Sequence, residues 1–127
     1  MSHTVVVVDD EPDIREIATM SLEAVAGWRV LGASSGAEGI ELALGGEAEA
    51  MLLDAMMPEL DGPATLAELR AREQAEGREP LPVIMLTAKT QGFGPTRVEE
   101  IGAQGLIAKP FDPMKLGEQV AAMLGWE

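Results

Sequence analysis

Four short apolar runs along the chain each stop at a polar or charged residue. Val5–Val8 runs into Asp9 and Asp10, and Ala50–Leu53 into Asp54. Val83–Leu86 runs into Thr87, and Leu106–Ala108 into Lys109. Runs of this length, bounded by turn residues and lacking polar alternation, predict strands buried on both faces, as in a parallel sheet. Arg29–Gly32 supplies a further, second strand. Parallel strands bring their C-terminal ends to one edge, where open α/β sheets bind ligands. Asp9, Asp10, Asp54, Thr87 and Lys109 are therefore expected to converge on one pocket.

Helices are predicted between the strands. Glu11-Pro12, Gly62-Pro63 after Asp61, Gly94-Pro95 and Asp112-Pro113 read as helix starts, because proline at the first helical position gives up an N–H that has no helical partner. Ser35 and Glu38 are spaced as a capping box. Gly27, Gly45-Gly46, Gly77, Gly102 and Gly125 stand where the helices should stop. Apolar stripes at helical spacing run through Ile14, Ile17, Ala18, Leu22 and Val25, through Ala37, Ile40 and Leu44, and through Leu116, Val120, Met123 and Leu124. Strand and helix alternate five times, which implies right-handed crossovers and a parallel sheet covered on both faces.

A chain of 127 residues that is 46% hydrophobic fits one globular domain, residues 1–127, with no output domain expected. The absence of cysteine excludes disulfides, thiolate metal sites and cysteine nucleophiles. No apolar stretch reaches the roughly 18 residues of a membrane span, and no signal peptide is evident, so a cytoplasmic location is expected. A formal charge of −13 opposes direct contact with nucleic acid or anionic lipid.

Three carboxylates at one sheet edge would repel one another, by roughly 4 kcal/mol per pair at about 4 Å and an effective dielectric of 20. A divalent cation relieves that repulsion, and an all-oxygen site with open water positions suits Mg²⁺. Lys109 adds a positive charge and Thr87 a hydroxyl. A metal, an ammonium and a hydroxyl around one carboxylate suit the equatorial oxygens of a transferring phosphoryl group. The carboxylate itself can be the nucleophile and form an acyl phosphate.

The segments Val7-Val8-Asp9-Asp10-Glu11, Leu52-Leu53-Asp54 with Met57-Pro58 and Asp61-Gly62, Leu86-Thr87-Ala88-Lys89, and Ala108-Lys109-Pro110-Phe111 resemble, in order and separation, the receiver domains of two-component response regulators, here of stand-alone type. The resemblance implies a flavodoxin-like (βα)5 doubly wound sandwich with strand order 2-1-3-4-5. It implies that Asp54 takes a phosphoryl group from a histidine kinase or a histidine phosphotransfer protein. Asp10, Asp54 and the backbone carbonyl of Met56 would bind Mg²⁺ directly, with Asp9 acting through water, while Thr87 and Lys109 would contact the phosphoryl oxygens. Such a receiver assists its own phosphorylation and dephosphorylation but is not a conventional enzyme. A cis Lys109-Pro110 bond is implied, as is signalling to a downstream protein through the fourth helix, fifth strand and fifth helix.

Two departures from the family pattern stand out. Leu106 occupies a position where many receivers carry an aromatic residue that accompanies the movement of the threonine. The segment Thr90–Pro95 holds two glycines and a proline, which predicts a long loop before a short fourth helix. Met56 and Lys89 occupy the family's two variable positions beside the phosphoaspartate. Neither offers a carboxylate or amide to orient water, so a phosphoryl lifetime of at least minutes is expected. Lys89, Arg70 and Arg72 read as solvated charges, and His3 is assigned no role. Two other readings of the acidic residues remain: a Mg²⁺-dependent phosphatase or phosphotransferase with an aspartyl nucleophile, and a receiver-like scaffold that is not phosphorylated. Haloacid-dehalogenase-type enzymes want a second aspartate two residues after the first, which neither Asp54-Ala55-Met56 nor Asp9-Asp10-Glu11 provides.

Overall fold

The computed structural model describes residues 3–88 and 99–126. Strands β1 (Thr4–Val8), β2 (Arg29–Ala33), β3 (Ala50–Asp54), β4 (Val83–Ala88) and β5 (Gly105–Lys109) form one parallel sheet in the order β2-β1-β3-β4-β5. The expected sheet and its order are thus present. Helices α1 (Pro12–Met20), α2 (Gly36–Leu44) and α3 (Gly62–Ala75), and a C-terminal helix (Leu116–Leu124), cover the two faces.

Side-chain alternation divides the core. Val6, Val8, Met51, Leu53 and Met85 pack against Ile40, Ala43, Leu66 and Leu69 of α2 and α3. Val5, Val7, Leu52, Ile84, Leu86 and Ile107 pack against Ala18, Leu22, Leu116 and Val120 on the other face. All five residues of β3 are buried, as a central strand covered on both sides requires.

The punctuating glycines act as expected. Gly27, Gly46, Gly77, Gly102 and Gly125 all have positive φ, where a Cβ would be strained. Asp61 caps α3 by accepting from Ala64 N–H (2.9 Å). Ser35 Oγ accepts from Glu38 N–H (3.2 Å), but the Glu38 carboxylate reaches back to Ser34 N–H (2.7 Å) rather than to Ser35. The reciprocal bond of the capping box has moved one residue outward.

Other expectations need correction. The stripe from Ile14 to Val25 is not one helical face: α1 passes into a π-helical turn at Ser21–Val25. The wider turn shifts the phase of the spiral, so Ala18 and Leu22 are buried while Ile17 and Val25 are 42% and 48% exposed. Tertiary contacts hold that turn. Ser21 Oγ donates to the Pro113 carbonyl. Gly117 of the C-terminal helix approaches so closely that a Cβ there would lie 2.7 Å from Ala26 Cβ. Asp112-Pro113 opens a turn rather than the helix: Asp112 accepts from Met114 N–H through its side chain and from Lys115 N–H through its carbonyl (2.9 Å each), and the helix begins at Leu116. In that helix Leu116 and Val120 are buried, but Met123 is 39% exposed.

Arg70 is partly buried and paired, whereas Arg72 remains a solvated charge in a surface ion pair. Arg70 binds the buried Glu73 (2.8 Å) and the Gly102 carbonyl (3.0 Å), and Arg72 binds Glu41 (2.8 Å). His3 is also engaged: its ring stacks on Trp126 (centroids 3.8 Å apart), meets Trp28 edge-on, and bonds Glu49 (2.9 Å). The expectations for Lys89, for the loop Thr90–Pro95 and for most of the fourth helix lie outside the described residues. Among the described residues, no helix is long and apolar enough to cross a membrane.

Candidate functional site

The register of the parallel strands assembles the site. Val8 pairs with Leu53 and Asp54 with Leu86, so Asp9, one residue beyond Val8, emerges beside Asp54. Thr87 pairs with Ala108 and Ala88 with Lys109 on the neighbouring strands. The ladders extend one step past the strand ends, through Asp9 N–H to Ala33 O (3.1 Å) and Ala55 N–H to Leu86 O (2.9 Å). Asp9, Asp54 and Thr87 therefore stand on hydrogen-bonded backbone at the C-terminal edge. They are only 0%, 2% and 3% exposed.

Oxygens of Asp9, Asp10 and Asp54 lie within 4.8 Å of one another. Three carboxylates at such separations form the hard, all-oxygen donor set that suits Mg²⁺. Lys109 is the counter-charge: Nζ lies 3.2 Å from Asp9 Oδ2 and 3.1 Å from Asp54 Oδ1. The Lys109-Pro110 bond is cis, as the resemblance implied. Asp9 Oδ1 also accepts from Glu11 N–H (2.9 Å), and Asp54 Oδ1 accepts weakly from Met56 N–H (3.4 Å). Thr87 Oγ1 donates to the Ala88 carbonyl (3.1 Å). The Met56 side chain is 60% exposed, and Leu106 packs against the α2–α3 side of the core.

The electrostatics follow from burial. Desolvation, and then the Asp9 charge, push the Asp54 carboxyl up from 3.8 to about 6, against the pull of Lys109 and Met56 N–H. Burial draws Lys109 down, but its bonds to Asp54 and Asp9 and their charges outweigh that and hold it above its ordinary value. The result is a buried carboxylate whose charge is less stabilised than that of a solvated one.

The loop after β3 shapes the site in ways that residue types alone did not announce. Gly62 N–H returns to Ala55 O (3.0 Å), and a Cβ on Gly62 would lie 2.5 Å from the Asp54 carbonyl oxygen. Glu59 is the one non-glycine described residue with positive φ (68°). Arg15 is a further site residue that the motifs did not single out: its Nη1 donates to the Asp9 carbonyl (2.8 Å). The available signal was an arginine four residues past Glu11, one helical turn into the helix that follows the acidic pair.

Residues 5–121 match the response regulator receiver domain family. The chain belongs to that family and is a phosphoacceptor domain of two-component signalling. The transcriptional regulatory protein SrrA of Staphylococcus aureus is 40% identical over 126 residues, which make up 98% of this chain and 48% of SrrA. The chain thus spans about half the length of the curated relatives it matches. The chemotaxis protein CheY4 of Vibrio cholerae superposes with a TM-score of 0.82 at 27% identity, covering 97% of this chain and 99% of CheY4. The receiver domain of Saccharomyces cerevisiae Ssk1, solved with the histidine phosphotransfer signalling protein Ypd1, shares the fold with a TM-score of 0.83 at 19% identity, over 94% of this chain and 87% of that one.

Proposed function

We propose that residues 1–127 form one receiver domain in which Asp54 accepts a phosphoryl group from a histidine kinase or a histidine phosphotransfer protein. The observation that carries this reading is the Asp54 carboxylate itself. It is 2% exposed at the end of the central strand, 3.1 Å from the Lys109 ammonium and grouped with Asp9 and Asp10. Partnership with a phosphotransfer protein is supported by the fold shared with the Ssk1 receiver, which was solved bound to Ypd1.

Asp54 attacks the phosphorus of a phosphohistidine. With Oδ1 held by Lys109 and Met56 N–H, Oδ2 forms the new O–P bond while the P–N bond breaks and its electron pair leaves with the donor imidazole. Lys109 and Thr87 bind the transferred oxygens. A Mg²⁺ ion on Asp10, Asp54 and the Met56 carbonyl, with Asp9 acting through water, would neutralise charge developing on the phosphoryl group. In this way the receiver assists its own phosphorylation and dephosphorylation while remaining a signalling domain. Output passes through protein contacts on the face of the fourth helix, fifth strand and C-terminal helix, where Leu106 replaces the usual aromatic residue.

Incubation with acetyl phosphate and Mg²⁺, followed by intact mass, tests the reading. The parent should gain one phosphoryl group and Asp54→Asn none. No gain in the parent, or an equal gain in the variant, would overturn it.

A further inference from the structure

The Asp9 carbonyl lies where β1 leaves the sheet. The register of β1 ends at Val8, paired with Ala33 and Leu53, and Asp9 N–H makes the final bond to Ala33 O. Beyond that point the peptide joining Asp9 to Asp10 has no ladder to fix its plane, yet that plane sets the directions of both carboxylates. Two bonds hold the chain there: Asp9 Oδ1 accepts from Glu11 N–H (2.9 Å), and Arg15 Nη1 donates to the Asp9 carbonyl, the bond on the peptide itself, at 2.8 Å.

The guanidinium is itself held in place. Arg15 N–H closes the first turn of α1 on Glu11 O (3.0 Å). Its stem runs across β2 at Gly32, where a Cβ would lie 3.6 Å from Arg15 Cδ. Acidic neighbours abound in the sequence at Asp9, Asp10, Glu11, Asp13 and Glu16. Even so, Arg15 forms no ion pair with a carboxylate among the described residues and spends its bond on a neutral carbonyl. An arginine placed for charge pairing would turn to a carboxylate, where the charge-assisted bond is stronger. This one braces backbone.

We infer that Arg15 is a positioning residue for the cation site: it locks the Asp9–Asp10 peptide so that both carboxylates face Asp54. The inference rests on the metal-site reading above and adds a residue that touches neither metal nor phosphoryl group. Groups that orient metal-binding side chains typically change affinity by about 10–100-fold when removed.

Positioning and simple electrostatics predict opposite signs. Removing a cation from beside an acidic site should tighten Mg²⁺ if charge alone matters, and weaken it if orientation matters. Calorimetric titration of Mg²⁺ into the wild-type protein, Arg15→Met and Arg15→Lys decides between them, with Mg²⁺-free thermal melts to confirm that each is folded at the titration temperature. Arg15→Met should bind Mg²⁺ about tenfold more weakly, and Arg15→Lys, which can still donate one bond, should recover part of the loss. Phosphorylation by acetyl phosphate should return toward the wild-type rate at saturating Mg²⁺, since only the assembly of the site is impaired. Equal or tighter Mg²⁺ binding by folded Arg15→Met would overturn the inference alone. A wild-type protein that binds no Mg²⁺ would overturn the metal-site reading and this inference with it.

Discussion

Lys109 Nζ lies 3.1 Å from Asp54 Oδ1 although the two residues stand 55 positions apart, and the same ammonium reaches Asp9 at 3.2 Å. One cation thus serves two buried carboxylates. Its removal leaves both charges unmatched, and breaking a buried pair from one side costs about 3 kcal/mol or more. Lys109→Met should therefore lower Mg²⁺-free stability at neutral pH by about 3 kcal/mol in urea denaturation. A loss within experimental error would show that the ammonium is dispensable to the apo fold.

Asp54→Asn should have the opposite effect. The Asp54 carboxyl is raised from 3.8 to about 6 in the folded state, so the native protein holds that proton more tightly than the unfolded chain. Its contribution is fully present below pH 3.8 and is lost as pH rises through about 6. Above that range the ionised, buried group destabilises the Mg²⁺-free fold by an amount on the order of 2–3 kcal/mol. The stability difference between Asp54→Asn and the parent should grow across this window and then level off. A difference independent of pH would refute the raised carboxyl.

Glu59 holds a φ of 68°, a region that costs an L-residue roughly 1–2 kcal/mol. Glycine removes that cost but loses more chain entropy on folding, by about 0.5–1 kcal/mol. Glu59→Gly should therefore stabilise the protein by about 0.5–1 kcal/mol in urea denaturation. Destabilisation would mean that the Glu59 side chain makes up for its backbone.

Gly62 sits against the backbone at the end of β3, where an added Cβ would be 2.5 Å from the Asp54 carbonyl and 2.8 Å from Ala55 Cα. Backbone cannot yield as a flexible side-chain tip can. Gly62→Ala should cost about 2 kcal/mol or more and slow phosphorylation by acetyl phosphate, because the displaced atoms carry Asp54. Unchanged melting and an unchanged rate together would contradict the close packing.

The sheet was legible because each apolar run had the length of a buried strand and a turn at either end. The site was legible because parallel register leaves little freedom: once Val8 pairs with Leu53, Asp9 must emerge beside Asp54. The features that were not legible depend on contacts distant in sequence. The π turn at Ser21–Val25 leaves no trace in apolar spacing; its neighbours Pro113, which accepts from Ser21, and Gly117, which packs on Ala26, are distant in sequence. Asp112-Pro113 carries the residue types of a helix start, yet the chain spends three residues in a turn before Leu116. His3 gave no local signal, since its partners Trp28, Glu49 and Trp126 come from three other parts of the chain. Arg15 lay in plain view, but its target is a backbone carbonyl, which no side-chain motif announces.

Whether Asp54 is the residue that carries the phosphoryl group can be read directly. Borohydride reduces an acyl phosphate to an alcohol, so trapping the acetyl phosphate-treated protein and sequencing its peptides by mass spectrometry locates the modified carboxylate. Homoserine at position 54, dependent on Mg²⁺, is the predicted result. Homoserine at position 9 or 10, or at no position, would contradict the account.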